Sequence, residues 1–303
     1  MPGACRAAAC LAMPAAPGLT GHESSRLAPR GGMRTLAREL AVRVAVAVVA
    51  IPIVGVLLWL GDGYAAALLA SGGAIAAYEY YRLTPLRGAS VRWIGIAATA
   101  GLCGLPLVAP DNWASIALVI LVMASMATWT LLLAYGPRLE APAHAGHLLA
   151  GLAFVAGGLV ALAVLRARPD GLAWSAIVLV TAWANDTGAF LGGKLLGHHL
   201  LLPSVSPGKT REGLAIGALV GVAAAIATHL WCDAISREDA IMIGIIAAVL
   251  GPIGDLSKSM LKRAAGAKDS GRLFLAHGGM LDRIDAVLFD SVGVLGYLTL
   301  IHR

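Results

Sequence analysis

The sequence predicts an all-α membrane protein, a bundle of about nine spanning helices with its N-terminus in the cytoplasm. Three observations predict it. Of 303 residues, 58% are hydrophobic and only 13% charged, with a mean hydropathy of +0.79, whereas soluble domains carry roughly a quarter charged residues. Apolar stretches recur from about residue 42 to the C-terminus, each near the ~20 residues that cross a hydrocarbon layer. The cations between these stretches fall mostly on alternate connections, as expected when positive charge is retained on one side of a membrane.

Residues 1–32 are rich in Ala, Pro, Gly, Ser and Arg. They read as a disordered leader or as an artefact of start-site choice, because Met33-Arg34-Thr35 opens a basic segment that leads into the first apolar stretch. The expected spans cover about 42–60, 63–81, 91–109, 112–134, 147–166, 171–190, 212–231, 240–256 and 285–301. Residues 33–170 form the N-terminal helices, and 171–303 a C-terminal region that carries the segments with chemistry.

With the N-terminus inside, Arg34, Arg38, Arg43, Arg82, Arg87, Arg92, Arg138, Lys194, Lys209, Arg211 and the cations from Lys258 to Arg283 are cytoplasmic. Only Arg166, Arg168, Arg237 and Arg303 lie outside. Both long polar connections, about 191–211 and 257–284, then face the cytoplasm. The net charge of +6 is interrupted by apolar spans and forms no basic helix face, which excludes nucleic acid as a partner. Cys5, Cys10, Cys103 and Cys232 show no metal spacing and read as single thiols. Small-residue stretches such as Ala156-Gly157-Gly158 and Gly213 to Gly221 suit close helix approach.

Asn185 and Asp186 stand near the end of an apolar span. A charge at mid-membrane costs about 2.5–3.5 kcal/mol, so it implies a partner or a role. The following Ser206-Pro207-Gly208-Lys209-Thr210-Arg211-Glu212-Gly213 places hydroxyls and cations at a helix start. That makes an anion site, although a capped helix on a basic membrane edge has the same pattern. The eighth span reads as interrupted at Gly251-Pro252 and Gly254. Beyond it, Asp255, Ser259 and Lys262 share one helical face. Asp282 and Asp285, at i and i+3, point the same way and can serve one oxygen-liganded cation, while Gly278-Gly279 lets backbone approach a phosphate. Glu79, beside Tyr80, Tyr81 and Arg82, reads as paired with a neighbouring helix.

Ser259-Met-Leu-Lys262-Arg263, then Lys268-Asp269-x-Gly271, then His277-Gly278-Gly279-x-x-Asp282-Arg283-x-Asp285, resembles the signature of phosphatidate cytidylyltransferases, also called CDP-diacylglycerol synthases. Asn185-Asp186-Thr187-Gly188-Ala189 and Ser206-Pro207-x-Lys209-Thr210-x-Glu212-Gly213 also look like that family. The resemblance covers about 181–290. Leu275-Ala276 stands where the family usually has Pro-Gly, Lys258 where it commonly has Glu, and Asp290 is unusual for it.

The resemblance implies a membrane enzyme of phospholipid biosynthesis that transfers the cytidylyl group of CTP to phosphatidic acid, giving CDP-diacylglycerol and pyrophosphate at the cytoplasmic face of the cell (inner) membrane. It implies Mg²⁺, with or without a second cation, on Asp255, Asp282 and Asp285. Lys209, Lys262, Arg263, Lys268 and Arg283 would hold phosphates. Asp186 would support nucleotide or metal, and Asn185, Ser206, Thr210, Glu212, Ser259, Asp269, His277, Gly278 and Gly279 would complete substrate binding. Partners would be CTP, phosphatidic acid and membrane lipids, with a homodimer left open. A CTP-dependent lipid-alcohol kinase makes similar demands. An ion-coupled secondary transporter also uses broken helices and intramembrane Asp, but no repeat of that pattern relates the two halves.

Overall fold

The computed structural model describes residues 48–86, 88–134, 140–271 and 278–301. The leader 1–32, His277 and the Leu275-Ala276 pair lie outside the described residues. Eleven helices succeed one another: α1 Val48–Trp59, α2 Asp62–Leu83, α3 Ala89–Cys103, α4 Leu105–Val108, α5 Trp113–Ala134, α6 Ala141–Gly151, α7 Gly157–Ala167, α8 Gly171–Leu196, α9 Arg211–His229, α10 Arg237–Ala264 and α11 Leu281–Ile301. A π-helical turn, Leu152–Ala156, joins α6 to α7, so Ala141–Ala167 runs as one apolar rod.

Each expected span falls on helical residues, the first described only from Val48 and the third divided between α3 and α4. Among the described residues, five helices are long and apolar enough to cross a membrane, namely Trp113–Leu133, Ala141–Ala167, Arg211–His229, Arg237–Ala264 and Leu281–Ile301. Large apolar side chains such as Leu118, Val119 and Leu133 on α5, Leu219 on α9 and Leu300 on α11 stay exposed, as a lipid-facing surface requires.

The small residues do what the sequence anticipated. On α8 and α9 a Cβ at Gly213 would stand 2.7 Å from the Ala189 carbonyl oxygen, and one at Gly192 2.7 Å from Ile216. Gly158 of α7 meets the backbone of Leu288 on α11 in the same way. Such approach gains dispersion contact that a larger residue would forfeit.

The all-α expectation holds, although the connection between α8 and α9 is not irregular: β1 Leu200–Leu202 and β2 Ser206–Thr210 form an antiparallel hairpin there, with Leu202 opposite Ser206 and Leu200 opposite Thr210. Strand pairing of this connection satisfies its backbone groups, which no helix can do across Pro203 and Pro207. One expectation needs correction: α10 does not break at Gly251-Pro252. It runs on to Ala264 with Pro252 inside it, and Asn185 Nδ2 of α8 donates to the Ala247 carbonyl at 3.1 Å, just before the proline. The carbonyl that Pro252 deprives of its helical donor is that of Ala248, so Asn185 braces the ladder one position earlier and ties α8 to the turn that holds the proline.

Candidate active site

Five helix termini converge at one end of the bundle: the C-terminal ends of α2, α8 and α10, and the N-terminal ends of α9 and α11. The positions follow from local sequence. Thr210 caps α9, its hydroxyl oxygen accepting from Gly213 N at 3.1 Å. Because α10 continues past Pro252, Asp255, Lys258 and Lys262 lie along one stripe of it at i, i+3 and i+7. On α11, Asp282 and Asp285 project from the first turn towards that stripe.

Lys258 Nζ lies 3.0 Å from Asp255 Oδ1, 3.3 Å from Asp282 Oδ1 and 2.5 Å from Asp285 Oδ2. Lys262 Nζ donates to Asp282 Oδ1 at 2.7 Å, and Lys209, arriving from β2, pairs with Asp255. The hairpin thus brings a cation to α10 that the primary sequence places 46 positions away. The cluster is largely shielded from solvent: Lys258 is 5% exposed and Asp285 3%. Charges so buried persist only when paired.

A second carboxylate system supports the first. Glu79, 3% exposed near the end of α2, accepts from Met280 N at 3.0 Å and Leu281 N at 2.9 Å at the start of α11. A carboxylate there satisfies orphan N–H groups and complements the positive end of the helix. Ser270 Oγ lies 2.8 Å from Glu79 Oε2 and 2.9 Å from Asp282 Oδ2, so its proton serves either. Asp282 Oδ2 also accepts from Ser270 N at 3.1 Å and Gly279 N at 3.2 Å. Two glycines are obligatory here. Gly278 has φ 82°, and a Cβ on Gly279 would lie 2.1 Å from Glu79 Oε2.

The other expected residues are distributed around this centre. Arg263, exposed, donates Nε to the Val205 carbonyl at 3.3 Å and so ties α10 to the hairpin. Lys268 and Asp269 are exposed on the turn after α10, Ser206 and Ser259 are half-buried, and Arg283 is half-buried on the first turn of α11. Asp186 is exposed within α8, nearly three turns before its C-terminal end, whereas Asn185 is buried and committed to the Ala247 carbonyl. Glu212 faces away from the cluster, accepting from His198 N at 3.1 Å and lying 2.5 Å from His199 Nδ1. It holds the entry to β1. Asp290, fully buried on α11, has neither oxygen hydrogen-bonded among the described residues, and both oxygens flank Gly251.

Carboxylate oxygen is the donor chemistry that a hard divalent cation such as Mg²⁺ requires. Asp255, Asp282 and Asp285 bring such oxygens around a single cationic point, so their chemistry fits such an ion. That point is held by the Lys258 ammonium, and among the described residues no group of three His, Cys, Asp or Glu side chains is arranged as a metal shell as it stands.

Comparison with known proteins identifies the family. The profile of the cytidylyltransferase family matches residues 41–301. The chain belongs to that family. Among its relatives is a phosphatidate cytidylyltransferase of Staphylococcus saprophyticus subsp. saprophyticus, 36% identical over 146 residues, which are 48% of this chain and 55% of the relative. The Staphylococcus haemolyticus enzyme of the same name is 38% identical over 123 residues, and that of Staphylococcus aureus strain COL 39% over 124, each match covering 40% of this chain and 47% of the relative. The chain spans about half the length of the curated relatives it matches.

Besides Ser270, whose hydroxyl lies between Glu79 and Asp282, sequence reasoning missed two residues of the site. Glu79 was placed against a neighbouring helix but not at the start of α11. Lys258 was noted only as a departure from the family pattern. A signal for the second was present, since a residue at i+3 from Asp255 must share its helical face.

Proposed function

We propose that the protein is a membrane nucleotidyltransferase that moves the cytidylyl group of CTP onto phosphatidic acid, releasing pyrophosphate. One observation carries this reading: three aspartates and three lysines meet in a largely buried cluster where the hairpin and the ends of α10 and α11 come together. The family's activity supplies the substrate class, as do the names of its staphylococcal relatives.

The phosphate monoester of the lipid has a second pKa of about 6 and is mostly dianionic at neutral pH. It therefore needs no strong general base. One of its oxygens attacks the α-phosphorus of CTP, the bond from that phosphorus to the oxygen bridging to the β-phosphate breaks, and pyrophosphate departs with the bonding electrons. The barrier is repulsion between two anions, so positioning and charge neutralisation are what the chain must supply. Lys209, Lys262, Arg263, Lys268 and Arg283 provide cations at this end of the bundle. Asp255, Asp282 and Asp285 would hold Mg²⁺, whose contribution when bound is to draw charge from the phosphate oxygens. Ser270, Gly278 and Gly279 orient Asp282, and Glu79 fixes the start of the helix that carries it.

We further place this end at the cytoplasmic face of the cell membrane, with nine crossings and the N-terminus inside. Support comes from the distribution of Lys and Arg along the sequence and from each expected span falling on helical residues. A lipid substrate would then enter from the bilayer and the nucleotide from the cytosol. The test is purified full-length chain in nanodiscs, supplied with Mg²⁺, phosphatidic acid and CTP labelled at the α- or γ-phosphate. Transfer of α-label to lipid with equimolar pyrophosphate is expected. Transfer of γ-label would make the protein a lipid kinase instead.

A further inference from the structure

Lys258 makes this cluster different from a set of carboxylates awaiting a cation. Its ammonium reaches Asp255, Asp282 and Asp285 together, at 3.0, 3.3 and 2.5 Å. Lys209 reaches Asp255, and Lys262 reaches Asp282. Three carboxylates thus face three ammoniums, and the six side chains balance without any added ion. Each member is largely buried, which makes an unbalanced charge there expensive. Glu79 does not disturb the balance, because its carboxylate faces the backbone N–H groups of Met280 and Leu281 at the positive end of α11.

A divalent cation added to this arrangement would leave two uncompensated positive charges in a shielded site and would meet the Lys258 ammonium at close range. Binding becomes favourable when two conditions hold together. The ion must bring negative charge with it, and the displaced ammonium must find another anionic oxygen. A nucleoside triphosphate complexed with the ion satisfies both, because its phosphates carry several negative charges and offer acceptors within reach of a lysine side chain.

Resting on the functional reading above, we propose that Lys258 is a tethered cation: it fills the carboxylate cradle in the resting protein and yields it only to a divalent ion that arrives with a nucleoside triphosphate. Metal affinity is therefore conditional on nucleotide. While Lys258 occupies the cradle, its positive charge offsets the repulsion among the three aspartates.

The experiment is equilibrium dialysis of Mn²⁺ against the full-length chain in nanodiscs of zwitterionic lipid, with and without the non-transferable analogue α,β-methylene-CTP. Wild type should retain Mn²⁺ at least about tenfold more tightly with the analogue than without it. Lys258→Met, which keeps length and removes charge, should retain Mn²⁺ without nucleotide at least about tenfold more tightly than wild type does. Equal wild-type affinity in the two conditions overturns the proposal, as does a folded Lys258→Met that gains no affinity. If that variant fails to elute as a single species, the wild-type comparison decides alone. Nucleotide-independent Mn²⁺ retention by a wild type that still forms CDP-lipid would sink this inference and leave the functional reading standing. No retained Mn²⁺ with the analogue, together with no consumption of CTP, would sink both.

Discussion

The two ends of helix α2 handle charge in opposite ways. At its start, Asp62 pairs with Arg166 at 3.1 Å, and the same guanidinium donates to the Leu58 carbonyl at 2.9 and 3.2 Å. Asp62 is more than half exposed, so water shares the work and the pair merely staples α1, α2 and α7 together. Seventeen residues further on, ~25 Å along the helix, Glu79 is buried against the start of α11 and adjoins a cluster of six more ionised side chains. One end spends a single exposed pair on holding helices together. The other concentrates shielded charge beyond what packing needs, at some cost in desolvation. That excess is what marks a functional site, since a stable bundle is obtained more simply with apolar contacts.

The comparison can be broken most forcefully at Asp282. Replacing it with Asn removes a charge facing Lys258 and Lys262 and weakens the acceptor for Ser270 N and Gly279 N. CDP-lipid formation should fall at least about a hundredfold, with helical content and elution volume unchanged. An active Asp282→Asn would contradict the assignment. A smaller effect is expected at Glu79, which supports Asp282 without belonging to the lysine cluster. Glu79→Gln turns an amide donor towards backbone N–H groups and should lower kcat by about tenfold, chiefly through Asp282 placement, so the apparent KM for CTP should change less than kcat. Gly279→Ala forces its Cβ into Glu79 and should reproduce the Glu79 phenotype in weaker form, a loss of several-fold. A Gly279→Ala enzyme with full activity would show that Glu79 is not held where the structure puts it. The smallest effect belongs to the opposite end. Arg166→Ala should cost about 1 kcal/mol of stability, read as a lower melting temperature in detergent, and change specific activity less than about twofold.

Much of this was legible in the sequence because membrane helices state their periodicity plainly. Each expected span falls on helical residues, Thr210 caps α9 as its hydroxyl and position suggested, and Asp282 with Asp285 share a face because three residues separate them. What stayed hidden depends on distance along the chain. Glu79 and Leu281 are 202 positions apart, and no local pattern reports such a contact. The hairpin was missed because β1 is only three residues long, too short for alternation to be visible. Pro252 suggested a break that did not occur, since the loss of one donor leaves the rest of the α10 ladder in place. Lys258 looked like a change of local charge, and its partners on α11 are a tertiary fact.

The proposed function brings metal and nucleotide together in the Asp255, Asp282 and Asp285 cradle. The most direct measurement is the anomalous diffraction of Mn²⁺ in crystals of the full-length chain grown with α,β-methylene-CTP. One peak or more is expected, bounded by those three carboxylates, with the Lys258 ammonium drawn away towards phosphate. A nucleotide-bound crystal whose manganese lies elsewhere, with Lys258 still seated among the aspartates, would contradict it.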